Sequence, residues 1–180
     1  MIIDPTKQPF DSNHKLMIGS ILPRPIAFVS TKSKDGILNL APFSYFNGVC
    51  SNPPTVMFAP ARRGYDGLTK DTLNNIRDTE EFVVNIVSEQ MAEPMVVCAT
   101  DFGKDVDEFE VSGLTPINSV KVLPPRVKES KVSFECKLNI IVPVGEPGPG
   151  GGFVVIGTIV MFHIDDEVYK DGRIDLNVLN

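Results

Sequence analysis

Residues 24–31 read Arg-Pro-Ile-Ala-Phe-Val-Ser-Thr, a run of apolar and β-branched residues that is typical of a β-strand. Lys34-Asp35-Gly36 follows, and an Asp-Gly pair after a strand predicts a tight hairpin turn. We therefore expect the next segment, Ile37 to Val49, to return antiparallel to the first strand.

Four further segments carry the strand pattern. The chain contains 15 prolines and 14 glycines, which divide it into short pieces. The segment 146–152, Glu-Pro-Gly-Pro-Gly-Gly-Gly, lacks the Gly-Lys-Ser/Thr ending of a phosphate-binding P-loop and precedes β-branched residues, so it predicts a flexible hairpin connection. The additional strands predicted are Pro54 to Pro60, Phe82 to Val87, Lys131 to Val144 and Gly152 to Asp165.

Helical patterns are few. Thr69 fits an N-cap, with Leu68 and Leu73 at the hydrophobic-staple positions, and predicts a helix that ends near Asp78. A second short helix is expected between Glu89 and Thr100, with Pro94 in its first turn. Many short strands without a strand–helix alternation predict one mainly β domain over residues 1–180, a mostly antiparallel barrel with a few short helices.

Composition excludes several classes of protein. The chain has 180 residues, 42% of them hydrophobic and 22% charged, which is ordinary for a folded domain. A net charge of −6 argues against nucleic acid as the main partner. No apolar run is long enough for a membrane span, and Met1 to Phe10 lacks the apolar core of a secretory signal, so we expect a cytoplasmic protein without a membrane partner.

The cysteines and histidines are too few and too scattered for a metal site or a hydrolase triad. Cys50, Cys98 and Cys136 form no CxxC pair and have no histidine nearby at ligand spacing. Only two histidines are present, His14 and His163. We expect no metal, and three reduced, mostly buried thiols.

The segment Asn39-Leu-Ala-Pro-Phe-Ser-Tyr-Phe-Asn47 is unusual for a strand because Pro42 lacks a ladder donor and polar residues alternate with aromatic ones. Two readings are open. It is either an edge strand with a bulge whose aromatic side chains pack in the core, or an interrupted ladder that frees backbone N–H and C=O groups for a flat ligand.

A second set of candidates combines the pair Arg62-Arg63 with Thr69-Lys70-Asp71-Thr72 at a predicted helix start. The N-terminus of a helix offers unpaired N–H groups and a favourable dipole to an anion. Spacing alone leaves a phosphate site and a solvated charge cluster equally open.

Taken in order, several strings resemble the flavin reductase-like family of FMN-binding split barrels, in the branch that contains flavoredoxin. No single string is decisive, but their order covers nearly the whole chain. They are Leu22–Thr31, Asn39–Asn47, Lys70–Ile76, Glu81–Ser88, Val106–Glu110, Gly113–Pro116, Pro125–Val127 and Gly157–Asp166.

The resemblance implies a six-stranded antiparallel Greek-key split barrel that forms a homodimer, with FMN near the dimer interface. The isoalloxazine ring would lie against residues 41–46, with the Ser44 hydroxyl near N5 and the carbonyl edge. Lys70 would give charge to the phosphate, and Thr72 a hydroxyl and a helix N–H. The cofactor-binding residues implied are Ser30, Thr31, Asn39, Ala41, Pro42, Phe43, Ser44, Tyr45, Phe46, Asn47, Arg62, Lys70, Asp71 and Thr72.

Two features of the chain have open readings. His163 either packs as a core or interface histidine or, as the resemblance implies, lies on the open side of the flavin and contacts nicotinamide or substrate. Members of this branch usually continue beyond the stretch that matches Ile174 to Leu179, so the chain is either a shortened or a natural short form.

The activity implied is that of an NAD(P)H-dependent flavin oxidoreductase, in which nicotinamide passes hydride to flavin N5 and the reduced flavin supplies a small-molecule or protein acceptor. The alternatives are an FMN electron carrier that docks to redox partners without using NADH or NADPH, and a barrel that has lost flavin.

Overall fold

The computed structural model describes residues 1–179. Its strands are β1 (Ala27–Lys32), β2 (Leu38–Phe43), β3 (Phe46–Ser51), β4 (Pro54–Phe58), β5 (Glu81–Ile86), β6 (Pro116–Ile117), β7 (Arg126–Val127), β8 (Val132–Val144), β9 (Gly152–Ile164), β10 (Tyr169–Lys170) and β11 (Arg173–Ile174). Its α-helices are α1 (Phe10–Ser20), α2 (Asp71–Thr79), α3 (Ala92–Val97), α4 (Glu108–Ser112) and α5 (Leu176–Leu179).

The main sheet has seven strands in the order β2-β1-β5-β8-β9-β4-β3, and every neighbouring pair is antiparallel. The first and last strands of this order are consecutive in the chain, since only Ser44 and Tyr45 separate β2 from β3. The sheet must therefore curl until its two edges meet at these residues. This confirms the predicted mainly β, antiparallel barrel with short helices.

The segment from Ile37 to Val49 was predicted as one strand, and this is wrong. β2 pairs with β1, from Ala27↔Phe43 to Lys32↔Leu38, whereas β3 pairs with β4 on the other edge of the sheet. The break at Ser44 and Tyr45 explains why the sheet has seven strands instead of the expected six. Each half pairs with its own sequence neighbour, so the chain must turn between them.

The barrel interior is aromatic. Phe58 packs against Phe43 at a centroid distance of 5.0 Å and against Phe82 at 5.5 Å. Gly157 on β9 faces Phe82, and a Cβ built at this glycine would lie 2.5 Å from Phe82 Cζ. The glycine is therefore required by the close approach of the phenyl ring to the backbone.

A second apolar cluster lies outside the barrel, beneath the segment that contains α3 and α4. Phe28 and Leu40 contribute from β1 and β2, and Cys98 and Phe109 from the outer segment. All four side chains are buried. This cluster fixes residues 98–109 against the edge strand β2, which becomes important for the site described below.

The helices differ in part from those predicted. α2 begins at Asp71 with Lys70 as N-cap, and Thr69 Oγ1 instead lies 2.7 Å from Asn74 Oδ1. Leu68 is 59% exposed, so it does not form a staple with Leu73. α3 falls within the predicted range 89–100. The sequence interpretation missed α1, α4 and α5.

Cys98 and Cys136 are buried, whereas Cys50 is exposed on β3, and all three thiols are free. Within residues 1–179, no helix combines the length and hydropathy required to cross a membrane.

Candidate functional site

A cleft opens between the edge strand β2 and the N-terminus of α2, and residues 98–102 form its opposite wall. Its residues come from elements that the second apolar cluster and the β1–β2 pairing hold in place. The lining residues are Asn39, Ala41, Pro42, Phe43, Arg63, Lys70, Asp71, Thr72, Cys98, Ala99, Thr100, Asp101, Phe102 and Glu108.

Two cations flank this cleft. Arg63 Nη2 lies 2.7 Å from Asp71 Oδ2, and Lys70 Nζ lies 2.7 Å from Asp101 Oδ1. The Nε of Arg63 is buried and has no hydrogen-bond partner among the described residues. A buried N–H donor without an acceptor is costly, so a ligand that supplied an acceptor to this atom would be favoured.

The start of α2 adds backbone donors. The first N–H groups of a helix have no partner within the helix. Lys70, at the N-cap, makes no side-chain cap hydrogen bond to them. Together with Arg63 and Lys70 they can accept an anion such as phosphate. The helix start predicted from the sequence therefore faces the cleft.

Arg62 does not line this cleft. Its guanidinium lies over the Phe153 ring, 4.9 Å from the centroid, and Nη1 donates to Gly67 O at 3.0 Å. The structure places the neighbouring Arg63 at the cleft instead. Successive residues of an extended segment point to opposite sides, and the sequence did not indicate which side faces the cleft.

The floor of the cleft is a buried polar chain. Thr72 Oγ1 donates to Asn39 Oδ1 at 2.7 Å, and Asn39 Nδ2 donates to Glu108 Oε1 at 2.7 Å. Thr31 lies one layer deeper, where its Oγ1 donates to Asn39 Oδ1 at 3.2 Å and accepts from Asn75 Nδ2 at 3.0 Å. The Thr72 hydroxyl is thus already committed as a donor.

Glu108 is 8% exposed and its carboxylate accepts from the Asn39 amide and, through Oε2, from Leu40 N at 3.2 Å. Burial raises the pKa of the Glu108 carboxyl, and the nearby Asp107 charge raises it further, although these hydrogen bonds act in the opposite direction.

The backbone of β2 that faces the cleft offers acceptors rather than donors. The Leu40 N–H is taken by Glu108. Pro42, two residues on and on the same edge of the strand, has no N–H. The Pro42 carbonyl points to the outer edge of β2, where no further strand of the sheet pairs with it. Phe43 packs in the core, as the first sequence reading expects, and the outer edge of β2 is not paired with another strand; binding of a flat ligand to this edge stays a prediction.

Ser30 is not at the cleft. It has no exposed surface, and its hydroxyl donates to Pro125 O at 2.5 Å and accepts from Asn85 Nδ2 at 3.2 Å. Nearly every residue of β1 is buried. The sequence pattern therefore did not show which strand face Ser30 and Thr31 occupy.

Residues 44–47 line a separate, apolar groove beside the C-terminal end of α1, together with Met17, Ile21 and Met57. Ser44 Oγ accepts from Arg24 Nε at 3.3 Å. Arg24 Nη1 in turn donates to Ile21 O at 2.8 Å and caps the end of α1. The Tyr45 hydroxyl is buried without a partner in the described part of the chain. The segment 39–47 thus separates a polar cleft from an apolar groove.

His163 lies on β9 and lines neither the cleft nor the groove. Its Nε2 is 2.5 Å from Oε1 of the fully buried Glu135. Burial alone would raise the pKa of the Glu135 carboxyl, but hydrogen bonds from Val120 N, Lys121 N and His163 outweigh burial and lower it. This arrangement corresponds to the structural reading of His163.

The sequence interpretation missed the wall 98–102 and Glu108. Both come to the cleft through the long-range packing of Cys98 and Phe109 in the second apolar cluster. The only local signal was the acidic string Val106-Asp-Glu-Phe-Glu110, which contains Glu108. A single sequence does not show whether an acid in such a string is buried or belongs to a solvated run of charges.

These features define a class of protein. It is an antiparallel β-barrel with a cleft beside its edge strand, and the hydrogen-bond donors of the cleft can bind an anion. The chain matches the family described as "Flavin reductase like domain" over residues 18–176 and belongs to that family. It is 46% identical over 168 residues to an uncharacterized protein of Aquifex aeolicus, covering 93% of this chain and 81% of that one.

Several solved structures are similar over 99% of this chain. Nitrilotriacetate monooxygenase component B from Bacillus cereus is 39% identical, with a TM-score of 0.94 and 88% of its own chain covered. The 2-nitrobenzoate 2-nitroreductase of Pseudomonas fluorescens is 32% identical, with a TM-score of 0.83 and 83% of its own chain covered.

The comparisons show the family but not the expected placement in its flavoredoxin branch. Flavoredoxin of Desulfovibrio vulgaris is 24% identical, with a TM-score of 0.74 over 89% of this chain and 80% of its own. That likeness shows the fold alone, and the similarity to the Bacillus cereus component is greater.

Proposed function

We propose that this chain is an FMN-binding flavin oxidoreductase that takes electrons from NADH or NADPH. The observation that supports the proposal is the cleft between β2 and α2, which is lined by Arg63, by Lys70 and by the start of α2, and whose Arg63 Nε has no partner among the described residues. A family whose description names flavin reductase provides the context for this cleft.

The donor set suits a phosphate monoester. A phosphate carries about −1.5 to −2 charges at neutral pH and several strong acceptor oxygens. Arg63 would keep Nη2 on Asp71 while Nε serves the phosphate. Lys70 would exchange its partner Asp101, which is 38% exposed, for the phosphate. The hydroxyl of Thr72 is already occupied as a donor to Asn39.

The flat ring would follow the segment from Ala41 to Phe46, away from the polar cleft and toward the apolar groove. The Pro42 carbonyl is an acceptor suited to a ring N–H, and the buried Tyr45 hydroxyl is a donor suited to a ring carbonyl. The proposed path explains why the donors lie at one end of the segment and the apolar surface at the other.

When bound, FMN supplies the redox chemistry by accepting a hydride at N5 from nicotinamide. The residues of the chain hold the phosphate, position the ring against β2 and provide an apolar surface around it. That step requires no protein base, and within the described residues neither the cleft nor the groove is lined by histidine.

The proposed homodimer is supported by an exposed apolar stripe on the outer end of β8. Ile140, Val142 and Val144 alternate along the strand and are 51%, 38% and 52% exposed. Exposed apolar patches of this kind are typical of protein interfaces. Light scattering should give about twice the 19.7 kDa chain mass, and a monomer would contradict the dimer.

Anaerobic reduction tests the activity. Protein loaded with FMN and freed of excess flavin is mixed with NADH and then with NADPH while the visible flavin band is recorded. Prompt bleaching by either nucleotide is the expected result and identifies the donor. A band that persists until dithionite is added would contradict the reductase and favour an FMN electron carrier. Loss of all flavin during purification would argue against a resident cofactor.

A further inference from the structure

The hydrogen-bond chain on the floor of the cleft has a fixed direction. The Glu108 carboxylate has no hydrogen to donate, so the Asn39 amide must turn Nδ2 toward it and Oδ1 toward Thr72. The Asn39 oxygen is only an acceptor, and the Thr72 hydroxyl must therefore give its hydrogen to Asn39.

This direction is unfavourable for an anion in the cleft. Thr72 lines the cleft, yet with its hydrogen committed to Asn39 it can present only oxygen lone pairs to a phosphate. Glu108 also lines the cleft and adds a negative charge to its floor. Phosphate binding would thus be opposed both by the hydroxyl dipole and by the carboxylate.

We propose that Glu108 is a positioning residue that couples the binding of the flavin phosphate to the uptake of one proton. This inference rests on the proposed function. A proton from solvent binds a carboxylate oxygen of Glu108, and the new O–H donates to Asn39 Oδ1 once the amide has turned over. Asn39 Nδ2 then donates to Thr72 Oγ1, and the Thr72 hydrogen is released toward the phosphate. No covalent bond changes except that between the proton and the carboxylate.

The surroundings of Glu108 favour the proton. Burial already raises the pKa of this carboxyl, and a phosphate dianion nearby would raise it further. Cys98 is buried and its pKa is raised to about 11, so it stays neutral. A second pocket adjoins the cleft at Glu108 and is lined by the turn after β1, by α2 and by residues 103–106. The charged groups around the carboxyl come from the N-cap of its own helix, from α2 and from the walls of the two pockets. They are Asp107, Lys70, Asp71, Arg63, Asp101, Lys34, Asp35, Asp78, Lys104 and Asp105.

Without phosphate, the direction in which Thr72 donates to Asn39 and Asn39 donates to Glu108 is preferred. If the Asn39 amide turns over, the fully buried Thr31 hydroxyl loses Asn39 Oδ1 as acceptor while Asn75 still donates to it. A buried hydroxyl without an acceptor is costly. This cost opposes protonation of Glu108 in the free protein, and the phosphate tips the balance toward it. Linkage then requires FMN affinity to fall as pH rises, because the tightly binding form carries one more proton.

Proton uptake tests the proposal directly. FMN binding is followed by calorimetry in two buffers of different ionisation enthalpy, for wild type, Glu108→Gln and the control Glu110→Gln on the exposed side of the same helix. A glutamine at 108 can accept from Leu40 N and donate to Asn39, which mimics the protonated acid. The titration of the phosphate itself is common to all three proteins and cancels in the comparison.

We expect wild type and Glu110→Gln to take up as much as one more proton per FMN than Glu108→Gln. Above the pKa of Glu108, wild-type affinity should fall by as much as about tenfold per pH unit relative to Glu108→Gln. Riboflavin, which lacks the phosphate, should show no such difference. Equal proton uptake by wild type and Glu108→Gln, both folded by circular dichroism, would overturn the coupling.

A second variant keeps the test decisive if Glu108→Gln does not fold. Thr72→Val retains the side-chain shape but removes the hydroxyl, so its proton uptake on binding FMN should fall below that of wild type by as much as one proton per FMN. Uptake at the wild-type level in Thr72→Val would also overturn the coupling. Failure of wild type to bind FMN at any pH would instead refute the proposed function, which separates the two claims.

Discussion

Arg62 and Arg63 are adjacent in the chain but have different surroundings, which provides a matched pair of substitutions. Arg63 lines the cleft with a buried, unpartnered Nε, whereas Arg62 packs on Phe153. Replacing either residue with glutamine removes one positive charge. Only Arg63→Gln should weaken the binding of FMN.

The magnitude follows from the role assigned to Arg63. A hydrogen bond to a charged group contributes about 1.5–3 kcal/mol, which corresponds to a roughly 10- to 150-fold loss of affinity. Arg63→Gln also leaves Asp71 without its 2.7 Å partner and next to the phosphate, which places the expected loss toward the upper end of that range. Arg62→Gln should change affinity less than about threefold, since its contacts are with Phe153 and Gly67 O.

The assay is an equilibrium titration of flavin fluorescence with FMN and, in parallel, with riboflavin. The loss in Arg63→Gln should be confined to FMN, because riboflavin has no phosphate to lose. Equal losses of FMN affinity in the two variants would refute the assignment of the cleft. So would an equal loss for riboflavin in Arg63→Gln.

Three further outcomes are expected. Gly157→Ala should destabilise the fold by about 1–3 kcal/mol in chemical denaturation, because its Cβ would meet the Phe82 ring at 2.5 Å, and an unchanged midpoint would contradict this packing. Glu135→Gln should lower Tm at neutral pH because one of two backbone donors loses its acceptor. The folded pKa of Glu135 is lowered, so the stabilisation by its carboxylate is present above the unfolded pKa and is lost as pH falls through the folded pKa. The difference in Tm between Glu135→Gln and wild type should therefore disappear in acid. A difference that stays constant with pH would contradict this role of Glu135. With Cys98 and Cys136 buried and their pKa values raised, no more than one thiol per native chain should react quickly with a disulfide reagent, against three in denaturant.

The strands were predictable where a segment with a clear strand pattern pairs with the segment next to it in the chain. The β8–β9 hairpin follows from two long runs of β-branched residues around a glycine-rich connection, and its bounds agree with the prediction to within a residue. The division of Ile37 to Val49 was not predictable in the same way. Its two halves pair with strands on opposite edges of the barrel, and that choice depends on how the whole sheet closes.

The candidate site was predictable only in its local part. Residue types at the start of α2 indicate an anion site because cations and an open helix N-terminus lie together in the sequence. The choice of Arg63 over Arg62 depends on the direction of an irregular backbone segment. Glu108 is brought to Asn39 by packing across 69 residues of sequence, for which a single sequence holds no signal.

Where the FMN phosphate binds is the central claim, and a crystal structure of the protein with FMN tests it most directly. We expect the phosphate within hydrogen-bonding distance of Arg63 Nε and Lys70 Nζ at the start of α2, with the ring along residues 41–46. A phosphate bound elsewhere on the barrel, with Lys70 still paired to Asp101, would contradict the account.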